Sequence, residues 1–248
     1  MKILALNEFK NYIISLNVSR KIKLIQIHHT YSPSYAQFKG DNHLELQKSM
    51  KNYHINTNGW NDIGQHFTIF PDGKIVTGRS MEQKPAGIEG ANTGAISIEC
   101  LGNFDKGGDV MTAEQKNAIV GAVKILCDVF KLDVSYNVVY HAWYTASGHD
   151  LGDYYKGHSV KTCPGTNFFG GNGLTVFMNN FVPAVENWGK NKPLESGNDI
   201  VWELMNAHGI EITEVKKAVN AIDKVKNDSE LNSLYWILYK LVNKERLK

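Results

Sequence analysis

The chain of 248 residues is poor in cysteine, with only Cys100, Cys127 and Cys163. An odd number without paired spacing argues against a disulfide framework. It has no apolar run near the roughly 20 residues that cross a bilayer. Met1 to Lys10 lacks the long uncharged core of a secretory signal, so synthesis in the cytoplasm without a signal peptide is expected. Charge of one sign is also scarce. Basic residues number 27 and acidic residues 25, a formal net charge of +2, and the basic ones are scattered rather than gathered into a stripe that nucleic acid would need. Nucleic acid binding and membrane insertion are therefore not expected. What remains is an ordinary globular composition, 42% hydrophobic and 21% charged, on a chain long enough for one substantial domain and a smaller one.

The domain pattern follows from composition shifts. Residues 1–188 form the first region, with short β-like runs, glycine turns and two helical patterns from residue 22 onward. Residues 189–198 are polar and carry Gly189, Pro193 and Gly197, which suits a linker. Residues 199–248 repeat apolar positions at helical spacing and are expected to form a small all-α domain of about three helices.

Within the first region, Leu24 to His28 is a β-branched run whose alternation puts Leu24, Gln26 and His28 on one face. Ile25, Ile27 and His29 take the other. Asn42, with Glu45 three residues on, predicts a helix carrying Leu46, Met50 and Tyr53 and ending near Asn58-Gly59. His66 to Phe70 and Ile75 to Gly78 flank the turn residues Pro71 to Lys74, a hairpin. In Ala95 to Leu101, Ile96, Ile98 and Cys100 share one face, while Ser97 and Glu99 share the other. Thr112 and Gln115 form a capping-box pattern before a helix striped by Ile119, Val123, Leu126, Cys127 and Phe130, which makes Cys127 a core residue. Val138 to His141 reads as a last short strand. This order predicts an α/β fold with a mixed central β-sheet flanked by helices.

The chemistry gathers at strand ends. His28 and His141 close strands, and Cys163 lies in Lys161-Thr-Cys-Pro-Gly165, where proline and glycine restrict the backbone. Two imidazoles and a thiolate make a three-ligand Zn2+ site with a fourth position left for water, the catalytic rather than the structural count. Nine histidines allow other pairings, and alternation leaves His29 as eligible as His28.

Longer motifs then carry a resemblance. Ile25-Gln-Ile-His-His-Thr30, Gly59-Trp-Asn-Asp-Ile-Gly-Gln-His-Phe67, Pro71-Asp-Gly73, Gly90-Ala-Asn-Thr-Gly-Ala-Ile-Ser-Ile-Glu99, Tyr140-His141 and Lys161-Thr-Cys-Pro-Gly-Thr-Asn-Phe-Phe-Gly-Gly171 occur in order over roughly residues 22–188. Together they resemble the type 2 N-acetylmuramoyl-L-alanine amidases, a group that includes the peptidoglycan recognition proteins and small phage lysozyme amidases. The likeness is greatest to autolysins and prophage endolysins of Gram-positive, spore-forming bacteria.

The resemblance implies zinc-dependent cleavage of the bond between N-acetylmuramic acid and L-alanine in bacterial peptidoglycan, acting on the wall after release. It selects His28 over His29 and makes His28, His141 and Cys163 the metal ligands. It implies Glu99 as the catalytic proton carrier, Lys161 as the group that meets the oxyanion, and Trp60 and Asn92 as substrate contacts. Two departures stand out. Many relatives have tyrosine where this chain has Gln65, and Ala142 to Val160 is a long insertion between two ligands, with His149 and His158 expected to face solvent. His54 and His66 are read as structural. The helical region after residue 199 is assigned either wall targeting or homodimerisation. Two other classes compete: a recognition module that binds muropeptides without cutting, and a structural zinc protein, which would need His149 or His158 as a fourth ligand.

Overall fold

The computed structural model describes residues 1–189; the expected linker beyond Gly189 and the helical domain over 199–248 lie outside the described residues. Six strands form one sheet: β1 (Ile3–Leu4), β2 (Leu24–His29), β3 (Phe67–Ile69), β4 (Ile75–Thr77), β5 (Ala95–Cys100) and β6 (Val138–Tyr140). Their spatial order is β1-β4-β3-β5-β2-β6. β3, β5, β2 and β6 run parallel, whereas β4 is antiparallel to both β3 and β1. The mixed sheet flanked by helices is the expected architecture. The helices are α1 (Leu6–Ser15), α2 (His43–Asn56), α3 (Ala113–Phe130), α4 (Val134–Asn137), α5 (Leu174–Val176) and α6 (Val182–Glu186).

β2 lies between β5 and β6, and every residue from Ile25 to His29 is buried. A strand covered on both faces reads as a nearly continuous apolar run, which is why this segment is rich in isoleucine. One apolar cluster joins Phe9 and Ile13 of α1, Ile25 and Ile27 of β2, Ile96 and Ile98 of β5, and Ile119, Val123, Leu126 and Cys127 of α3. Each fully buried aliphatic side chain of this kind contributes about 1.5–3 kcal/mol. Cys127 is a core residue, as expected.

Several local expectations need correction. Asn42 stands at the start of α2, but its side chain turns backwards: Oδ1 accepts from the Lys39 N–H at 2.8 Å and Nδ2 donates to the Gln37 carbonyl at 3.0 Å. The inward stripe of α2 is His43, Leu46, Gln47 and Met50. Tyr53 is 57% exposed, because its turn of the helix borders the open groove described below. The strand expected to end in His141 ends at Tyr140, and His141 opens a short 3-10 turn, His141–Trp143. β1, α1 and the helical run from Leu174 to Glu186 were not expected. α1 buries only Phe9 and Ile13, too few positions to show a period. A π-type turn, Phe177–Phe181, and Pro183 break the 3.6-residue repeat in the later run.

At the start of α3, Thr112 Oγ1 accepts from the Gln115 N–H at 3.1 Å, but Gln115 does not return the bond. Its buried amide donates to the carbonyls of Ile69 and Leu101, at 2.9 and 2.8 Å, and accepts from the Tyr35 hydroxyl. Gln115→Leu leaves the Leu101 carbonyl unpaired and takes one of two hydrogen bonds from the Ile69 carbonyl and from the Tyr35 hydroxyl. It is expected to lower unfolding stability by about 2–4 kcal/mol in urea titration, without loss of secondary structure.

Candidate active site

The strand register assembles the site. His28 is the Cα partner of Glu99 on β5. On its other side, Ile27 pairs with Tyr140, the last residue of β6, so the next residue, His141, falls beside His28. All three stand at the carboxyl ends of parallel strands, where open α/β sheets place ligand sites. Cys163 arrives on a loop. Its carbonyl accepts from the Ala142 N–H at 2.7 Å and its Sγ from the His29 N–H at 3.4 Å. Asp105 anchors that loop through the Thr162 hydroxyl at 3.0 Å and the Thr166 N–H at 2.9 Å. Gly165, at φ +123, lies so close to the Phe104 backbone that no side chain fits there.

The result is a buried triad. His28 Nδ1 lies 3.2 Å from His141 Nδ1 and 3.6 Å from Cys163 Sγ, and the three ligand atoms all fall within 4.8 Å of one another. Zinc–nitrogen bonds of about 2.0–2.1 Å and a zinc–sulfur bond of about 2.3 Å, at tetrahedral angles, imply edges of about 3.3 and 3.6 Å. The two edges that meet at His28 match those lengths, so the donor set fits the metal. His29 does not join it: its Nδ1 accepts from the Phe104 N–H at 3.1 Å.

Electrostatics point the same way. Burial, followed by the neighbouring His141 and Lys161, holds His28 well below the ordinary histidine pKa. Burial, then Lys161, brings His141 down to about 4. Both rings are therefore neutral near pH 7 and keep a lone pair for a metal. Burial, and then Glu99, raises the Cys163 thiol well above its usual value, so it becomes a thiolate only when a cation compensates it. Burial pushes Glu99 up to about 8, opposed by Lys161. The Glu99 side chain is partly open, while its Oε2 is enclosed and without a hydrogen-bond partner. An enclosed carboxyl titrating near neutrality beside a cation suits proton transfer.

A groove of about 1030 Å³ opens over the triad. Glu99, Lys161 and Trp60 line it, and Trp60 packs at 4.7 Å on the His54 ring. Asn92 does not line it. Its Oδ1 accepts from the Gly87 and Ile88 N–H groups at 3.0 and 3.1 Å, so the side chain closes its own turn instead of facing substrate. His66 is structural: its Nδ1 accepts from the Ser97 N–H at 3.0 Å and its Nε2 faces the Gln83 carbonyl at 2.9 Å. His54 accepts from the Gly64 N–H at 3.1 Å and also lines the groove. Gln65 is almost wholly buried in the groove wall. Its Nε2 donates to Thr68 Oγ1 at 3.0 Å and its Oε1 is unpartnered.

No residue of the 142–160 insertion lines the groove, and His149 and His158 are exposed and outside the triad. Among the described residues the metal cluster thus has three members and no fourth. Sequence reasoning missed Tyr31, Met50 and Gly87 in the groove wall. A Cβ at Gly87 would collide with Gln26 Oε1 and come within 3.1 Å of His28 Nε2, a constraint that no sequence signal marks.

A model of the N-acetylmuramoyl-L-alanine amidase family matches residues 18–166. The chain belongs to that family. The match to the N-acetylmuramoyl-L-alanine amidase family takes in β2 to β6, Glu99, Lys161 and all three triad residues. Peptidoglycan-recognition protein SC1a of Drosophila melanogaster is 31% identical over 146 residues, 58% of this chain and 68% of that protein. Human N-acetylmuramoyl-L-alanine amidase is 31% identical over 80 residues, 32% of this chain and 14% of that protein. The solved structure of bumblebee PGRP-SA shares the amidase-family fold, with a TM-score of 0.50 at 22% identity over 65% of this chain and 83% of that one.

Proposed function

We propose that the protein is a zinc-dependent N-acetylmuramoyl-L-alanine amidase that hydrolyses the lactyl–alanine amide of bacterial peptidoglycan, in the manner of an endolysin or autolysin acting on the wall. The observation that carries this reading is the buried His28, His141 and Cys163 triad at zinc-compatible spacing beside Glu99. Bound there by two nitrogens and one sulfur, zinc would supply Lewis acidity toward a carbonyl and lower the pKa of a water toward about 7. Glu99 removes a proton from the attacking water and returns it to the departing alanine nitrogen, which without that proton is a poor leaving group. Lys161, exposed in the groove wall, presents its ammonium to the charge that develops on the carbonyl oxygen.

Relatives named as recognition proteins make binding without cleavage the competing reading. A pure binding module has no need of an intact ligand triad beside an enclosed acid. Digestion of purified peptidoglycan separates the two. New alanine amino termini, lost with a chelator and restored by zinc, are expected. Binding without new termini would establish the recognition reading, and new reducing sugar ends would indicate a glycosidase. The same assay on a chain ending at Trp188 tests the wall-targeting role proposed for the remainder, since equal binding to intact walls would remove it.

A further inference from the structure

Tyr31 follows directly after the His-His-Thr run and holds φ at +59. Among the described residues the left-handed region is otherwise taken by glycine and by Asn17, Lys131 and Phe169. Lys131 closes α3, and the Phe169 ring packs against Phe168 and Phe181. The Tyr31 ring has no such burial. It is 60% exposed, lines the groove and, among the described residues, meets only the His29 ring, at 5.9 Å. Its backbone is clamped, with the N–H donating to the Gly102 carbonyl at 2.9 Å and the Thr30 hydroxyl bonded to the Pro33 carbonyl at 2.5 Å. Glycine would sit there without strain. A large side chain kept in an unfavourable conformation, with no packing to offset it, belongs to function rather than to folding.

The two walls of the groove differ. Beside Tyr31 stand Ser32 and Gln37, neutral and polar, while the α2 wall is mixed, with Leu46 and Met50 beside Ser49, Tyr53 and His54. An aromatic face with neutral hydroxyl and amide neighbours suits a sugar, which has one apolar face and a hydroxylated rim. Resting on the amidase reading above, we propose that Tyr31 is a specificity-determining residue that stacks on the sugar ring attached to the acyl side of the scissile amide.

The test compares two ligands with the same scissile bond: N-acetylmuramoyl tripeptide and the lactoyl tripeptide that lacks the sugar. Binding is measured by calorimetry on the metal-stripped full chain and cleavage on the zinc-loaded chain. Tyr31→Gly is expected to weaken binding and kcat/KM about tenfold for the sugar-bearing ligand. It should leave the lactoyl peptide unchanged and hold or raise the melting temperature, because the strained φ is relieved. Tyr31→Phe is expected to retain the sugar preference. Equal losses on both ligands, or none on either, would overturn the proposal. If the wild-type chain binds both ligands but cleaves neither, the hydrolase reading fails, and the binding difference between wild type and Tyr31→Gly still decides the role of the ring.

Discussion

Glu99→Gln is expected to lower kcat for wall hydrolysis by about 10²- to 10⁴-fold, the usual contribution of a positioned acid–base group, with metal content unchanged. The substitution is isosteric and removes no hydrogen bond from Oε2, which has none among the described residues, so unchanged metal content separates the loss from a disrupted site. The metal-free protein offers a second readout. Its Glu99 titrates near 8 rather than 4.5, so the folded state holds this proton more tightly than the unfolded state. Wild type must therefore lose stability relative to Glu99→Gln as pH rises from about 4.5 to about 8, and the gap should level off above that. After allowance for the partly open side chain, the gap is about 2–3 kcal/mol. Parallel urea stabilities across that range would show that Glu99 is not the enclosed acid described here.

Cys163→Ala is expected to weaken zinc binding sharply and reduce hydrolysis to background. The buried sulfur is a thiol in the metal-free protein, whereas both histidines are already neutral near pH 7. Metal binding must then release a proton from Cys163. The apparent zinc affinity of wild type should rise about tenfold per pH unit from roughly pH 6.5 to 8.5, and the residual affinity of the alanine variant should be nearly flat. Competition titrations with a chromophoric chelator measure both slopes. A flat wild-type slope would mean that the sulfur is not a ligand.

Most of the sheet was readable in the sequence because its strands are short β-branched runs bounded by turn residues, and the hairpin because Pro71-Asp-Gly73 marks its turn. Alternation alone could not choose between His28 and His29. Register does, since only His28 stands between Glu99 and the end of β6. Asn92 was misread because an asparagine beside a groove and an asparagine that caps its own turn look alike until the acceptor is seen on the Gly87 and Ile88 amides. Tyr53 keeps its expected place in the helix but falls at an open edge, which spacing alone does not show. Gln115 shows how a capping pattern can mislead, because its amide is used to bind β-strand and loop carbonyls in the core. Gly87 and Tyr31 act through backbone approach and φ, which residue type alone does not reveal.

Metal-edge X-ray absorption on the purified zinc-loaded chain tests the central claim most directly. The expected shell has two nitrogens at about 2.0 Å, one sulfur at about 2.3 Å and one exchangeable oxygen, and Cys163→Ala should remove the sulfur signal. A shell with four protein ligands, or with no sulfur, would contradict the assignment of this triad as an open catalytic site.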